Sequence, residues 1–113
     1  MSITHQVVIV PSAIAVALPD EHVVLCHEIF GQAGLRVHRT EHVTTACESI
    51  AKLLPQVVIT STALKNEVRE MIEDRAVAVG AVLTVLHTDR DYESIERNLR
   101  GALLEARAQF GRS

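Results

Sequence analysis

Short apolar runs of strand length, set between segments with helical spacing, constrain this chain more than any other feature. Residues 6–10, "QVVIV", and residues 56–60, "QVVIT", are continuous runs rich in β-branched residues. Runs without apolar–polar alternation mark strands buried on both faces. Residues 76–86 are apolar throughout except Thr84 and are broken by Gly80, so one strand lies within them, before or after that glycine. Leu35-Arg36-Val37-His38-Arg39 alternates instead, which predicts a strand nearer the edge of a sheet.

Helices are predicted between these runs. Pro19, Asp20 and Glu21 open the first, because proline fits a first turn and acidic side chains favour its positive end. Val23, Val24, Cys26, Ile29, Phe30 and Ala33 follow, and Gly34 is a natural stop. Thr45-Ala46-Cys47-Glu48 has capping-box spacing, with Ile50, Leu53 and Leu54 behind it and Pro55 ending the segment. Residues 65–75 predict a short helix with Val68, Met71 and Ile72 inward. Asp91 can cap the last helix, where Tyr92, Ile95, Leu99, Leu103 and Ala106 share a face. Glu93–Arg97 and Glu96–Arg100 are i,i+4 pairs on its other side. The order βαβαβ(α)βα predicts a single three-layer α/β domain over residues 1–113. Its four-stranded parallel sheet is flanked by helices on both faces, in a flavodoxin- or Rossmann-like topology.

Phe30, Tyr92 and Phe110 are the only aromatic residues, so the core is aliphatic. The net charge is −3 and the basic residues are dispersed. Nucleic-acid binding therefore lacks both its electrostatic and its stacking contributions. The short polar start at residues 1–6 and the absence of a bilayer-length apolar run predict a cytoplasmic chain that does not span a membrane. Cys26 and Cys47 fall inside predicted helices with no CxxC spacing and read as packing.

Ligands of such sheets bind beyond the carboxyl ends of the strands. With the first strand at residues 6–10, that rule selects Ser12, Ser61, Thr62 and the loop after the fourth strand. Ser12 is the only side chain of nucleophilic type in a first loop that lacks glycine, cysteine, lysine and an acidic pair. Backbone amides at Ala13, Ile14 and Ala15, with Ser61 and Thr62, form the candidate anion-binding set. His22 and Cys26 lie one helical turn apart, but no further ligand has fitting spacing, and no metal or cofactor is expected. His87 follows the last apolar run and reads as a surface histidine. A triad of Ser12, His87 and Asp89 or Asp91 lacks a nucleophile elbow.

The whole chain resembles the galactitol-type IIB components of bacterial sugar phosphotransferase systems. "VVIVPSAIAVALPDE" runs without a gap along that family's strand, Cys-Gly-rich loop and helix. "GLRV", "PQVVITSTAL" and "AVAVGAVLT" continue the likeness. The resemblance implies a phosphoryl carrier between a IIA component and a sugar bound by a membrane-embedded IIC component. Ser12 then stands at the place of the phosphorylated cysteine, Ala13 and Ile14 replace glycines, and Leu18 and Pro19 replace hydroxyl residues. A serine hydroxyl is a poorer nucleophile than a thiolate.

The βαβαβ cadence up to "PQVVIT" also resembles response-regulator receiver domains. A working receiver holds magnesium with acidic residues after the first strand and carries an aspartate after the third. On the strand positions above, those places read Pro11-Ser12 and Thr60-Ser61, the first loop is several residues too long, and no fifth strand is evident. That resemblance implies a non-catalytic pseudo-receiver acting through protein contacts.

Overall fold

Parallel pairing of aliphatic strands organises the computed structural model, which describes residues 10–111. The elements are β1 (Ser12–Val16), α1 (Asp20–Gln32), β2 (Arg36–Thr40), α2 (Val43–Leu53), β3 (Val57–Ser61), α3 (Asn66–Ala78), β4 (Val82–Leu86) and α4 (Tyr92–Phe110). They build one four-stranded sheet in the order β2-β1-β3-β4, with every neighbouring pair parallel. The expected α/β class and strand number are those observed.

A strand is expected at residues 6–10; residues 6–9 lie outside the described residues, and Val10 is exposed and outside any strand. Residues read from the sequence as a loop, Ser12 to Val16, form β1 at the centre of the sheet instead. The reason is burial on both faces. Ala13 and Ala15 face one cluster with α1 and α4, while Ile14 and Val16 face another with α2 and α3. Small alanines on the first side leave room for Phe30 of α1, which is fully buried.

The fourth strand lies after Gly80. α3 runs to Ala78, and Gly80 adopts φ 73, the left-handed conformation that lets the chain leave a helix. Ala81 N–H then donates to Ala76 O, and Gly80 N–H to Val77 O. The same motif closes α1, where Leu35 N–H donates to Phe30 O around Gly34 at φ 89. The capping box at Thr45 is not formed. α2 begins at Val43, His42 precedes it without a side-chain cap, and Thr45 is already helical. Asp91 does cap α4, its Oδ1 accepting from Ser94 N–H at 3.0 Å. Of the two expected i,i+4 pairs, Glu96–Arg100 forms at 3.0 Å and Glu93–Arg97 is not within ion-pair distance.

β2 leaves β1 in one direction and β3 returns on its other side, so the chain reverses between β1 and β3. The carboxyl end of that junction is the place where open α/β sheets bind ligands.

Candidate functional site at the carboxyl edge of the sheet

Four turns meet at this edge. Ala17-Leu18-Pro19 joins β1 to α1, Glu41 and His42 follow β2, Thr62 to Lys65 follow β3, and His87 to Asp91 follow β4. Ala17 holds φ 53, a left-handed conformation that disfavours any residue with a Cβ, and its N–H donates to Thr40 O at 2.8 Å. The turn is short because α1 starts at Asp20, with His22 N–H and Val23 N–H already bonded to Pro19 O.

Of the residues singled out in the sequence, the structure brings Ser61 and Thr62 to this edge and takes Ser12 away from it. Ser61 is fully buried, and its hydroxyl accepts from Ala63 N–H at 3.0 Å, which folds the turn back on itself. Thr62 is exposed, and its N–H donates to Leu86 O. Ser12 begins β1, at the amino end of the sheet, where its carbonyl accepts from Gln56 N–H. Its hydroxyl is buried without a partner among the described residues. Ala13, Ile14 and Ala15 are fully buried, and their backbones pair with β2 on one side and β3 on the other. Amides already spent in two ladders have nothing left to offer an anion.

One charged cluster at this edge is held together by hydrogen bonds. Arg39, at the end of β2, donates to Asp20 Oδ1, to Glu41 Oε1 at 2.9 Å and to Leu18 O at 3.4 Å. Hydrogen bonds donated to the Asp20 and Glu41 carboxylates raise its guanidinium above its ordinary value. The cluster ties β2 to the start of α1 and occupies the carboxylates of Asp20 and Glu41. Alternation along the strand hid it from sequence reading, which marked Arg39 only as a polar edge position.

The other side chains weighed for chemistry lie in α1 and in the turn after β4. His22 and Cys26 are both buried in α1, and Cys26 belongs to the core cluster with Phe30 and Leu99. Burial pushes the Cys26 thiol up to about 12. Among the described residues no three His, Cys, Asp or Glu side chains gather as a metal site. His87 does face a cavity. A cleft of about 390 Å³ lies beside β4, lined by Thr84, Val85, His87, Arg90, Ser94 and Arg97. Sequence reading flagged His87 alone. Ser94 and Arg97 are one helical turn apart on α4, but that spacing points to a cleft only once α4 is seen to lie against β4.

Two solved structures share this architecture. The signal receiver domain of a protein designated a Luxo repressor from Vibrio parahaemolyticus superposes with a TM-score of 0.57. The match covers 88% of this chain and 94% of that one at 16% identity. The pseudo-receiver domain of the CikA protein, solved by NMR, gives a TM-score of 0.51 over 82% of this chain and 97% of that one at 13% identity. At these identities the likeness speaks for the fold. No protein-family model and no curated protein matches the chain.

These neighbours overturn the phosphotransferase reading. The similar folds are receiver and pseudo-receiver domains, and with the IIB assignment go the IIA and IIC partners, the sugar and the phosphoryl-carrier role of Ser12. The gap-free register behind that reading laid a phosphate loop over residues that form the central strand. The same shift removes one objection to the receiver resemblance. With β1 ending at Val16, the turn before α1 is short, and the residues after the first strand are Ala17 and Leu18 rather than Pro11 and Ser12.

Proposed function

We propose that the chain is a single non-catalytic regulatory domain of pseudo-receiver type, working through protein contacts. One observation carries the reading. Ala17 and Leu18 follow β1 and Ser61 ends β3, where a working receiver has magnesium-holding acids and a phosphate-accepting aspartate. The Asp20 and Glu41 carboxylates at this edge are bound to Arg39. A site of this composition binds no divalent cation and activates no acyl phosphate. Ser61 and Thr62 serve in this proposal as part of the contact edge, Thr62 from its surface and Ser61 by shaping the turn.

A cytoplasmic setting belongs to the proposal, supported by two unbridged cysteines. No helix among the described residues is long and apolar enough to cross a membrane. Dispersed basic residues and a net charge of −3 favour protein partners over nucleic acid.

The test has two arms. Intact mass after incubation with acetyl phosphate and magnesium is expected to stay unmodified, and magnesium is expected to leave the amide NMR spectrum unchanged. One added phosphate overturns the reading. A photo-crosslinking residue placed at Thr62 of the protein in its own cells is expected to yield a discrete protein adduct. Absence of an adduct at every exposed position of this edge counts against a contact role.

A further inference from the structure

β4 is the last strand of the sheet, and its outer edge has no strand neighbour among the described residues. Val82 N–H donates to Gln56 O, and Leu86 O accepts from Thr62 N–H. The backbones of Val82, Thr84 and Leu86 are therefore turned toward β3, and alternation turns the N–H and C=O groups of Leu83 and Val85 outward. Residues 81–86, "AVLTVL", hold no charge and no proline, and the pairing with β3 runs without a bulge. Such an edge lacks the devices that usually blunt strand addition.

Beside this edge lies the cleft described above, and its charge has one sign. His87 and Arg90 enter it from the loop after β4 and Arg97 from α4, while no carboxylate of the described residues lines it. Asp91 is engaged in capping Ser94 N–H, and neither Arg90 nor Arg97 is within ion-pair distance of a carboxylate among the described residues. Farther along α4, Gly101 leaves open space where a side chain would stand.

We propose that β4 accepts a fifth strand from a partner protein. The added segment alternates β-branched with acidic residues; its backbone pairs with Leu83 and Val85, and its carboxylates reach Arg90 and Arg97. This names a partner class for the contact role proposed above and rests on that reading. Charge complementarity selects a foreign acidic segment over the chain's own residues 1–9, which include no acidic residue. It also selects against a second copy of β4, which is uncharged. Backbone pairing supplies affinity in strand addition, and the flanking charges supply selectivity and rate.

The test is selection of phage-displayed random peptides of about ten residues, the upper range of strand length, against the full chain. Enriched sequences are expected to alternate Val, Ile or Thr with Asp or Glu. A synthetic copy of the leading sequence is expected to slow exchange of the Leu83 and Val85 amides. It binds the Arg90→Gln/Arg97→Gln variant at least about tenfold more weakly, which is ~1.4 kcal/mol. Val85→Pro removes an outward N–H without removing a ladder bond to β3, and it abolishes binding. Should that variant fail to fold, the two exposed arginines carry the test. Failure of any peptide to enrich, enrichment of sequences without acidic residues, or protection away from β4 overturns the proposal. So does a dimer of the chain whose Leu83 and Val85 amides are already protected. None of these outcomes alters the acetyl-phosphate assay, so loss of the strand partner and loss of the contact reading remain distinguishable.

Discussion

Ser12 and Ser61 stand at opposite ends of the sheet. Ala13 is in register with Val57 and Ala15 with Ile59, so Ser61 lies level with Ala17, five residues beyond Ser12. At about 3.3 Å per residue, that separates the two serines by roughly 16 Å along the strand direction. No single ligand of phosphate size touches both, and Ala17 rather than Ser12 is the neighbour of Ser61 at the carboxyl edge.

The hydroxyls of Ser12 and Thr60 are buried and unpartnered among the described residues. A buried hydroxyl without a hydrogen bond costs free energy that its apolar counterpart does not. Ser12→Ala and Thr60→Val are each expected to raise stability by roughly 0.5–1 kcal/mol, measured as the shift in urea midpoint at constant slope. A loss of stability in Ser12→Ala would assign its hydroxyl a structural bond.

Ala17 at φ 53 holds a conformation that glycine adopts freely. Ala17→Gly is expected to stabilise the fold by roughly 0.5 kcal/mol, after the added freedom of the unfolded chain is subtracted. Ala17→Val, stiffer at this angle, is expected to cost roughly 1–2 kcal/mol. Thermal denaturation of the two variants beside the parent checks both signs.

Capping lowers the Asp91 carboxyl below its ordinary value, through hydrogen bonds from Ser94. A carboxylate held lower in the folded state contributes stability that is complete above the unfolded pKa, about 3.9. That contribution is lost as pH falls through the lower folded value. Asp91→Ala is therefore expected to be less stable than the parent at neutral pH, with the difference shrinking on acidification below about pH 4. Parallel denaturation series from pH 2 to 7, roughly the span of that titration, test the convergence.

The two cysteines are expected to react differently. Cys26 is buried with its thiol raised to about 12, whereas Cys47 is half-buried beside a groove between α2 and α3. Iodoacetamide at mildly alkaline pH should alkylate Cys47 in the folded protein and Cys26 only after denaturation. The same burial makes stability fall as pH rises above about 8.5, because the unfolded thiol ionises there and the folded one does not. Cys26→Ala is expected to flatten that decline, read from denaturation at pH 8 to 10, roughly the window above the unfolded thiol's pKa.

Much of the architecture was legible because local chemistry and tertiary structure agree. Gly34 ends α1, Asp91 caps α4, the alternating residues near Val37 form an edge strand, and β3 falls on its apolar run. The site was less legible because a long apolar stretch offers two runs of strand length, and the second of them forms β1. Periodicity cannot separate "VVIV" from "AIAV", since both are strand-length and neither alternates. Loop length carried the missing signal. A strand at residues 6–10 leaves a connection to α1 longer than the usual 2–6 residues of a βα turn, whereas a strand ending at Val16 leaves a turn of ordinary length.

The α/β class, the parallel sheet and the helix stops are written in local pattern, because they follow from side-chain periodicity and from backbone freedom at single residues. It takes the packed fold to make Ser12 a buried central-strand residue and to bring Arg39 onto Asp20 and Glu41. Only there do the outer edge of β4, without a strand neighbour among the described residues, and a cationic cleft beside α4 meet. Each of these is a juxtaposition of residues distant in the chain, set by which strand lies beside which and which helix covers which face, and no local pattern encodes it.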